Sequence, residues 1–214
     1  MDGSRRRSFR FELGCPAPGA TSAFADQVLG HDSNGLKRRR VDCGRRVVDV
    51  QMVELIDELD HADERVEQQR HYGLFVWPSA LVLAQFIALE CPSWQGKVVL
   101  ELGCGTALPG ILAGRCGTPH KVYLTDRSDA TETRRNVDAN IELNGLGGVA
   151  EFMALNWGDM NVPANVARVF EAVDVIFAAD CFYQSEDFEK VIATVALIFR
   201  SNPSSCFFTT YQLR

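Results

Sequence analysis

From Gly73 onward the chain alternates between short apolar runs with a period of two and longer stretches where apolar residues recur every three or four positions. The first pattern fits strands and the second fits helices. Strands are predicted over 97–102, 121–126, 148–154, 172–179 and 205–211. Helices are predicted over 107–116, 130–143 and 185–200, with a short one near 163–170 ahead of the fourth strand. Upstream, Pro78 suits the first turn of a helix. Ser79 to Leu89 is apolar nearly all round, so that helix is expected to be buried. Such alternation builds a parallel sheet with right-handed crossovers and helices on both faces. The fold class is α/β: a three-layer, doubly wound, Rossmann-like sheet.

The first third of the chain reads differently. Ser8–Leu13 and Val47–Val53 both alternate with period two and could pair as a hairpin, although the loop between them would be unusually long. A helix over Val50 to Arg70 is the competing reading, because Val53, Ile56 and Leu59 recur every third residue. Residues 14–34 are rich in Gly, Pro, Ala and Ser and read as disordered. Three regions are expected: a basic, largely disordered arm over 1–46 with a possible strand at 8–13, an extension over 47–72, and a main domain over 73–214.

A length of 214 residues suits one domain plus an arm. No apolar stretch approaches membrane-spanning length, and the N-terminus lacks the apolar core of a signal peptide, so no membrane partner is expected. Seven cysteines, scattered and without a CxxC pair, argue for reduced thiols in the cytosol or nucleus and against a disulfide scaffold or zinc site. The four histidines are dispersed, and no metal constellation is visible. Charge is uneven. Residues 1–46 hold ten Lys/Arg against five Asp/Glu, whereas 47–214 hold twelve against twenty-three. An acidic body attracts a cationic partner and repels nucleic acid, leaving only the arm for weak contact with phosphates. Lys37-Arg-Arg-Arg40, with Arg45-Arg46 behind it, resembles a nuclear localisation signal, and a solvated charge run is the alternative. The expected location is nuclear and cytoplasmic.

The most specific chemistry lies in Val98–Gly110, which reads VVLELGCGTALPG. A strand leads into Glu101-Leu-Gly103-Cys-Gly105, and a helix follows. Gly103 and Gly105 lack a Cβ and let a ligand approach the backbone closely. A dinucleotide fingerprint would need a third Gly where Leu108 stands, and no Lys-Ser or Lys-Thr pair makes a phosphate loop. The next strand, Lys121–Asp126, ends in a carboxylate 21 positions after Gly105. There Asp126 could accept both ribose hydroxyls of an adenosine, or could instead cap the helix that begins near Ala130.

Several segments in fixed order carry a family resemblance. They are Gly73-Leu-Phe-Val-Trp-Pro-Ser-Ala-Leu-Val-Leu-Ala84, the glycine turn with Glu101 two residues before its first Gly, Asn156-Trp-Gly158, Ala179-Asp-Cys-Phe-Tyr-Gln-Ser-Glu-Asp-Phe188 and Thr210-Tyr-Gln212. Together they resemble the seven-strand S-adenosylmethionine-dependent protein methyltransferases of the methyltransferase-like group, from about residue 71 onward. The resemblance implies S-adenosyl-L-methionine as methyl donor and a protein side-chain nitrogen as acceptor, usually lysine. For the closest relatives it implies an arginine of a histone, hence a basic protein partner. Trp77 and Trp157 are implied to flank the cofactor, with Glu101, Gly103, Gly105, Asp126 and Ala179 in the same binding set.

The resemblance further implies that Asp180 holds the incoming nitrogen while Tyr183 shapes the channel or donates a hydrogen bond. The alternatives are that Asp180 caps the helix from Ser185, that Tyr183 merely packs, and that either Trp is core. No paired-glutamate loop of the other well-known arginine-specific class is found, so lysine stays open as the acceptor. The family sheet has two strands beyond the fifth, and this chain stops at Tyr211-Gln-Leu-Arg214. The expectation is a sheet truncated after its fifth strand: a fragment, a mispredicted gene model or a splice form. Such a chain would be a weakened enzyme or a cofactor-binding interaction module.

Overall fold

The computed structural model describes residues 4–13, 47–55 and 72–213. Strands β1 (Ser4–Glu12) and β2 (Val47–Leu55) pair antiparallel, with Phe9 opposite Val50 and Phe11 opposite Val48. The hairpin reading therefore holds, and the alternation expected over 8–13 extends back to Ser4. The helical alternative fails as far as Leu55 for a simple reason. Val48, Val50 and Met52 are all buried, which a strand achieves on one face and a helix would spread around its axis. Residues 56–71, the stretch read as disordered and the Lys37–Arg40 cluster lie outside the described residues.

The main sheet contains β3 (Val98–Leu102), β4 (Lys121–Asp126), β5 (Ala150–Ala154), β6 (Val175–Ala179) and β7 (Cys206–Thr210). All are parallel, in the order β5-β4-β3-β6-β7. Each strand falls within its predicted range. β6 begins later than its apolar run suggests because the preceding helix extends to Ala172. The helices are α1 (Pro78–Leu89), α2 (Leu108–Cys116), α3 (Thr131–Leu143), α4 (Ala164–Ala172) and α5 (Ser185–Ser201). The chain runs outward from β3 through β4 to β5, then returns to place β6 on the other flank of β3. Sheets of this kind bind ligands beyond the carboxyl ends of the strands where the order reverses, here between β3 and β6.

Strand periodicity divides the core in two. Val99, Val122, Leu124, Val175 and Phe177 face α1, α2, α3 and the hairpin, while Leu100, Leu102, Ile176 and Ala178 face α4 and α5. Trp94, Phe86, Phe177 and Phe208 form an aromatic group under α1, with Trp94 edge-on to Phe177 at 5.3 Å between ring centroids. The Trp94 indole N–H donates to the Ile87 carbonyl at 2.8 Å, so this tryptophan buries no unpaired donor.

The hairpin docks through polar groups as well. An isolated strand edge exposes unpaired N–H and C=O groups. Here Asn140 Oδ1 accepts from Val53 N at 2.7 Å, and Asn144 Oδ1 accepts from Gln51 N at 3.1 Å. The Val53 carbonyl accepts from Asn136 Nδ2 at 3.0 Å, and the Gln51 carbonyl from Asn144 Nδ2 at 2.7 Å. Asparagines spaced four apart lie on one face of α3, so their amides stand in for a neighbouring strand. Buried Glu54 pairs with Arg5 and Arg7 and also accepts from Val76 N at 3.4 Å.

Phe177 lies under the whole aromatic group and is fully buried. Phe177→Ala is expected to cost about 3–5 kcal/mol of stability, read from the urea midpoint. A loss below about 1 kcal/mol would show that this group lies outside the cooperative core.

Candidate functional site

A cleft of about 700 Å³ opens at the carboxyl ends of β3, β4 and β6. Its floor is the turn after β3. Gly103, Gly105 and Ala107 all have φ between 51° and 64°, the left-handed region that favours glycine. A Cβ on Gly103 would lie 2.6 Å from Trp157 Cζ2, and one on Gly105 would lie 3.1 Å from the Gly73 carbonyl oxygen. Both conformation and space therefore require these two glycines. Cys104 N donates to the Thr125 carbonyl at 2.8 Å, which ties the turn to the end of β4.

Asp126 fastens the same turn. Its Oδ2 accepts from Gly105 N at 3.0 Å and its Oδ1 from Arg127 N at 2.8 Å. It does not cap α3, whose N-cap Ala130 has no side-chain capping bond. Glu101 borders the cleft and also makes a structural bond. It is 1% exposed, and its Oε2 accepts from Gly110 N at 2.8 Å, holding the first turn of α2 against β3. Gly110 stands two residues beyond the fingerprint position at Leu108. A Cβ there would collide with Leu124 Cδ2 and lie 2.6 Å from Glu101 Oε2. It is the glycine that lets helix and sheet meet closely, and an isolated Gly in a helical pattern was its sequence signal.

Asp180 follows β6 with φ 57°, a conformation non-glycine residues seldom adopt, and it is 8% exposed. Its N–H donates to the Thr210 carbonyl at 2.7 Å, and its Oδ1 accepts from Gln212 N at 3.4 Å. It does not cap α5, where Gln184 is the N-cap without a side-chain bond. Tyr183 is 41% exposed and so is not a core residue. Trp77 is half-buried, with its indole N–H donating to the Tyr72 carbonyl at 2.9 Å. Trp157 is half-buried against Gly103. All nine residues singled out from the sequence border the cleft: Trp77, Glu101, Gly103, Gly105, Asp126, Trp157, Ala179, Asp180 and Tyr183. Sequence reasoning missed Gly73, Thr106, Asp187 and Lys190, which also line it. Of these, Lys190 pairs with Asp187 at 2.8 Å within one turn of α5.

Burial dominates the electrostatics of the floor. Burial pushes Glu101 up to about 8, opposed by the Gly110 hydrogen bond and assisted by the charge of Asp126. Burial also raises Asp126, against the backbone bonds from Gly105 and Arg127. The Cys104 and Cys181 thiols are driven well above their ordinary value by burial and then by the Asp126 and Glu101 charges.

A doubly wound α/β sheet with a glycine turn at its switch point and acidic side chains at the ends of β3 and β4 fits a methyltransferase-type protein. The comparisons with known proteins agree: residues 58–214 match the family described as lysine methyltransferase, and the chain belongs to that family. It is 40% identical over 152 residues to the histone-arginine methyltransferase METTL23 of Mus musculus, covering 70% of this chain and 58% of that protein. It is 35% identical over 141 residues to METTL23 of Homo sapiens, covering 66% of this chain and 71% of that protein. It is 38% identical over 120 residues to the protein N-lysine methyltransferase METTL21A of Xenopus tropicalis, covering 56% and 52%. The chain thus spans little more than half the length of two of these relatives.

Glu101 gives the site a pH signature. Its value in the fold, about 8, exceeds the ordinary 4.5, so the folded state keeps a proton that the unfolded state releases. That stabilisation is complete below pH 4.5 and is lost as pH rises through about 8. Glu101→Gln keeps a neutral hydrogen-bonding group and removes the titration. The parent's stability relative to this variant should fall across that window in urea unfolding. A difference independent of pH would show that the carboxyl is not held protonated.

Proposed function

We propose that this chain is an S-adenosylmethionine-dependent protein methyltransferase acting on a basic side-chain nitrogen, a histone arginine in the first instance. One observation carries the reading: the glycine turn, Asp126, both tryptophans and Asp180 converge on a single cleft. The names of the METTL23 relatives support arginine, whereas the family description and the METTL21A relative support lysine as the second reading.

The cleft fits the donor in size, since small-molecule sites run to roughly 300–1,000 Å³ and this one holds about 700 Å³. Gly103 and Gly105 offer a surface free of side chains. Asp126 spends one bond per oxygen on the backbone, and each carboxylate oxygen retains a second lone pair for a ribose hydroxyl. Trp77 and Trp157 offer aromatic faces, where adenine stacks or a sulfonium is attracted. Ala179, at the end of β6, leaves room beside Asp180. Glu101 acts from below by fixing α2.

The donor supplies an activated methyl group on a sulfonium with a good leaving group. The protein must therefore chiefly align the acceptor, in a near-attack pose at about 3–3.5 Å. Asp180 can orient a guanidinium or ammonium by a charge-assisted hydrogen bond and offset its charge. The acceptor must also give up a proton, to solvent or to the Asp180 carboxylate: lysine, at about 10.4, before its lone pair can attack, and arginine, above about 12, as the methyl arrives. Tyr183, raised by burial and by Asp187, stays a neutral hydrogen-bond donor at the mouth.

Calorimetry with S-adenosylmethionine should detect binding, and absence of heat would sink the reading. Transfer of labelled methyl to histones should follow, with Asp180→Asn lowering kcat by roughly a hundredfold. Asn tolerates the left-handed backbone, so the variant tests charge and not folding. Equal incorporation would remove Asp180 from the reaction. Mass spectrometry of the product peptide decides between arginine and lysine. Donor binding without any transfer would identify an interaction module. A nuclear address in residues 37–46 is also proposed, and a fluorescent fusion lacking them should leave the nucleus. An unchanged distribution would refute it.

A further inference from the structure

The N-terminal hairpin lies outside the family match at residues 58–214, yet it reaches the cleft through one side chain. Asn140 is fully buried on α3. Its Oδ1 accepts from Val53 N at 2.7 Å, and its Nδ2 donates to the Thr106 carbonyl at 3.0 Å, to Asn136 Oδ1 at 3.0 Å and to the Val53 carbonyl at 3.3 Å. Thr106 stands between Gly105 and Ala107, both in left-handed conformation, and borders the cleft.

The state of the Thr106 carbonyl explains why this bond matters. Thr106 precedes the N-cap Ala107, whose carbonyl takes the first bond of α2 from Ile111 N at 2.9 Å. The Thr106 carbonyl therefore lies outside the helical ladder, and a buried carbonyl there needs another donor, which Asn140 provides. The same amide group thus grips β2 on one side and the glycine turn on the other. Asn144 makes matching bonds to Gln51 with its amide, but the turn is not among its partners.

We propose that Asn140 is a positioning residue for the donor site, transmitting the docking of the N-terminal hairpin to the backbone of Gly105–Ala107. The inference rests on the methyl-donor reading above. Hairpin and turn are then coupled, and coupling is reciprocal: what the hairpin gives to donor binding, the donor must return to the hairpin.

Asn140→Ala and Asn144→Ala each strip two anchors from the hairpin, so both should lower the urea midpoint. Only Asn140→Ala should weaken S-adenosylmethionine binding, by about tenfold, the size expected for loss of one well-placed hydrogen bond. The same factor should appear in KM for the donor, with kcat at saturating donor unchanged. Asn140→Asp retains the acceptor for Val53 N but turns an acceptor toward Thr106, and should bind donor no better than the alanine variant. Parent affinity in Asn140→Ala, or equal weakening in Asn144→Ala, would overturn the proposal. A parent that binds no donor would overturn the methyl-donor reading itself, and this inference with it.

Hydrogen exchange on the unmodified protein needs no variant. Saturating donor should slow the Val53 amide together with that of Gly105. Slowing at Gly105 with Val53 unchanged would disprove the coupling.

Discussion

The backbone between β3 and α2 must reverse direction within five residues while leaving its upper surface bare. Three of those residues adopt left-handed conformations, which cost free energy and leave polar groups pointing away from helix and sheet. Each stray group finds a partner elsewhere: Thr125 for Cys104, Asp126 for Gly105, Asn140 for Thr106 and Glu101 for Gly110. The rest of the domain is arranged around supplying those partners. β4 ends where its carbonyl and carboxylate are needed, and α3 turns an asparagine inward beneath the turn.

That arrangement concentrates acid where water is scarce. Burial raises both Glu101 and Asp126, the Asp126 charge adds to the shift of Glu101, and both thiols of the floor are held protonated. Arg127, at the same strand end, offsets part of the charge on Asp126. Stability and recognition are thus set against one another in the same few residues.

Much of this was legible in the sequence, because local signals carried it. Strand and helix periods placed every element of the main sheet, and the glycine turn, Asp126 and the Asp180–Tyr183 stretch led to residues that do border one cleft. The hairpin was legible as two alternating runs, although its first strand begins earlier than the apolar residues suggest, since Arg5 and Arg7 continue it by pairing with Glu54. What could not be read was long-range and polar. Glu101 carries the pattern of a binding residue and is spent on Gly110. Asn140 shares the buried face of α3 with Val137 and Ile141, but its partner Val53 lies 87 residues earlier and could not be read from the helix. Asp180 gives no sequence sign of its left-handed backbone.

The two strands of the hairpin are separated by residues 13–46, yet their register is fixed at both ends by ion pairs and side-chain amides. Joining the ends of a chain segment costs free energy that rises only with the logarithm of its length, about 0.6 kcal/mol for each doubling. Insertions or deletions in that connection would therefore be nearly neutral for folding. The connection's length and composition can change while the parallel sheet and its cleft stay untouched.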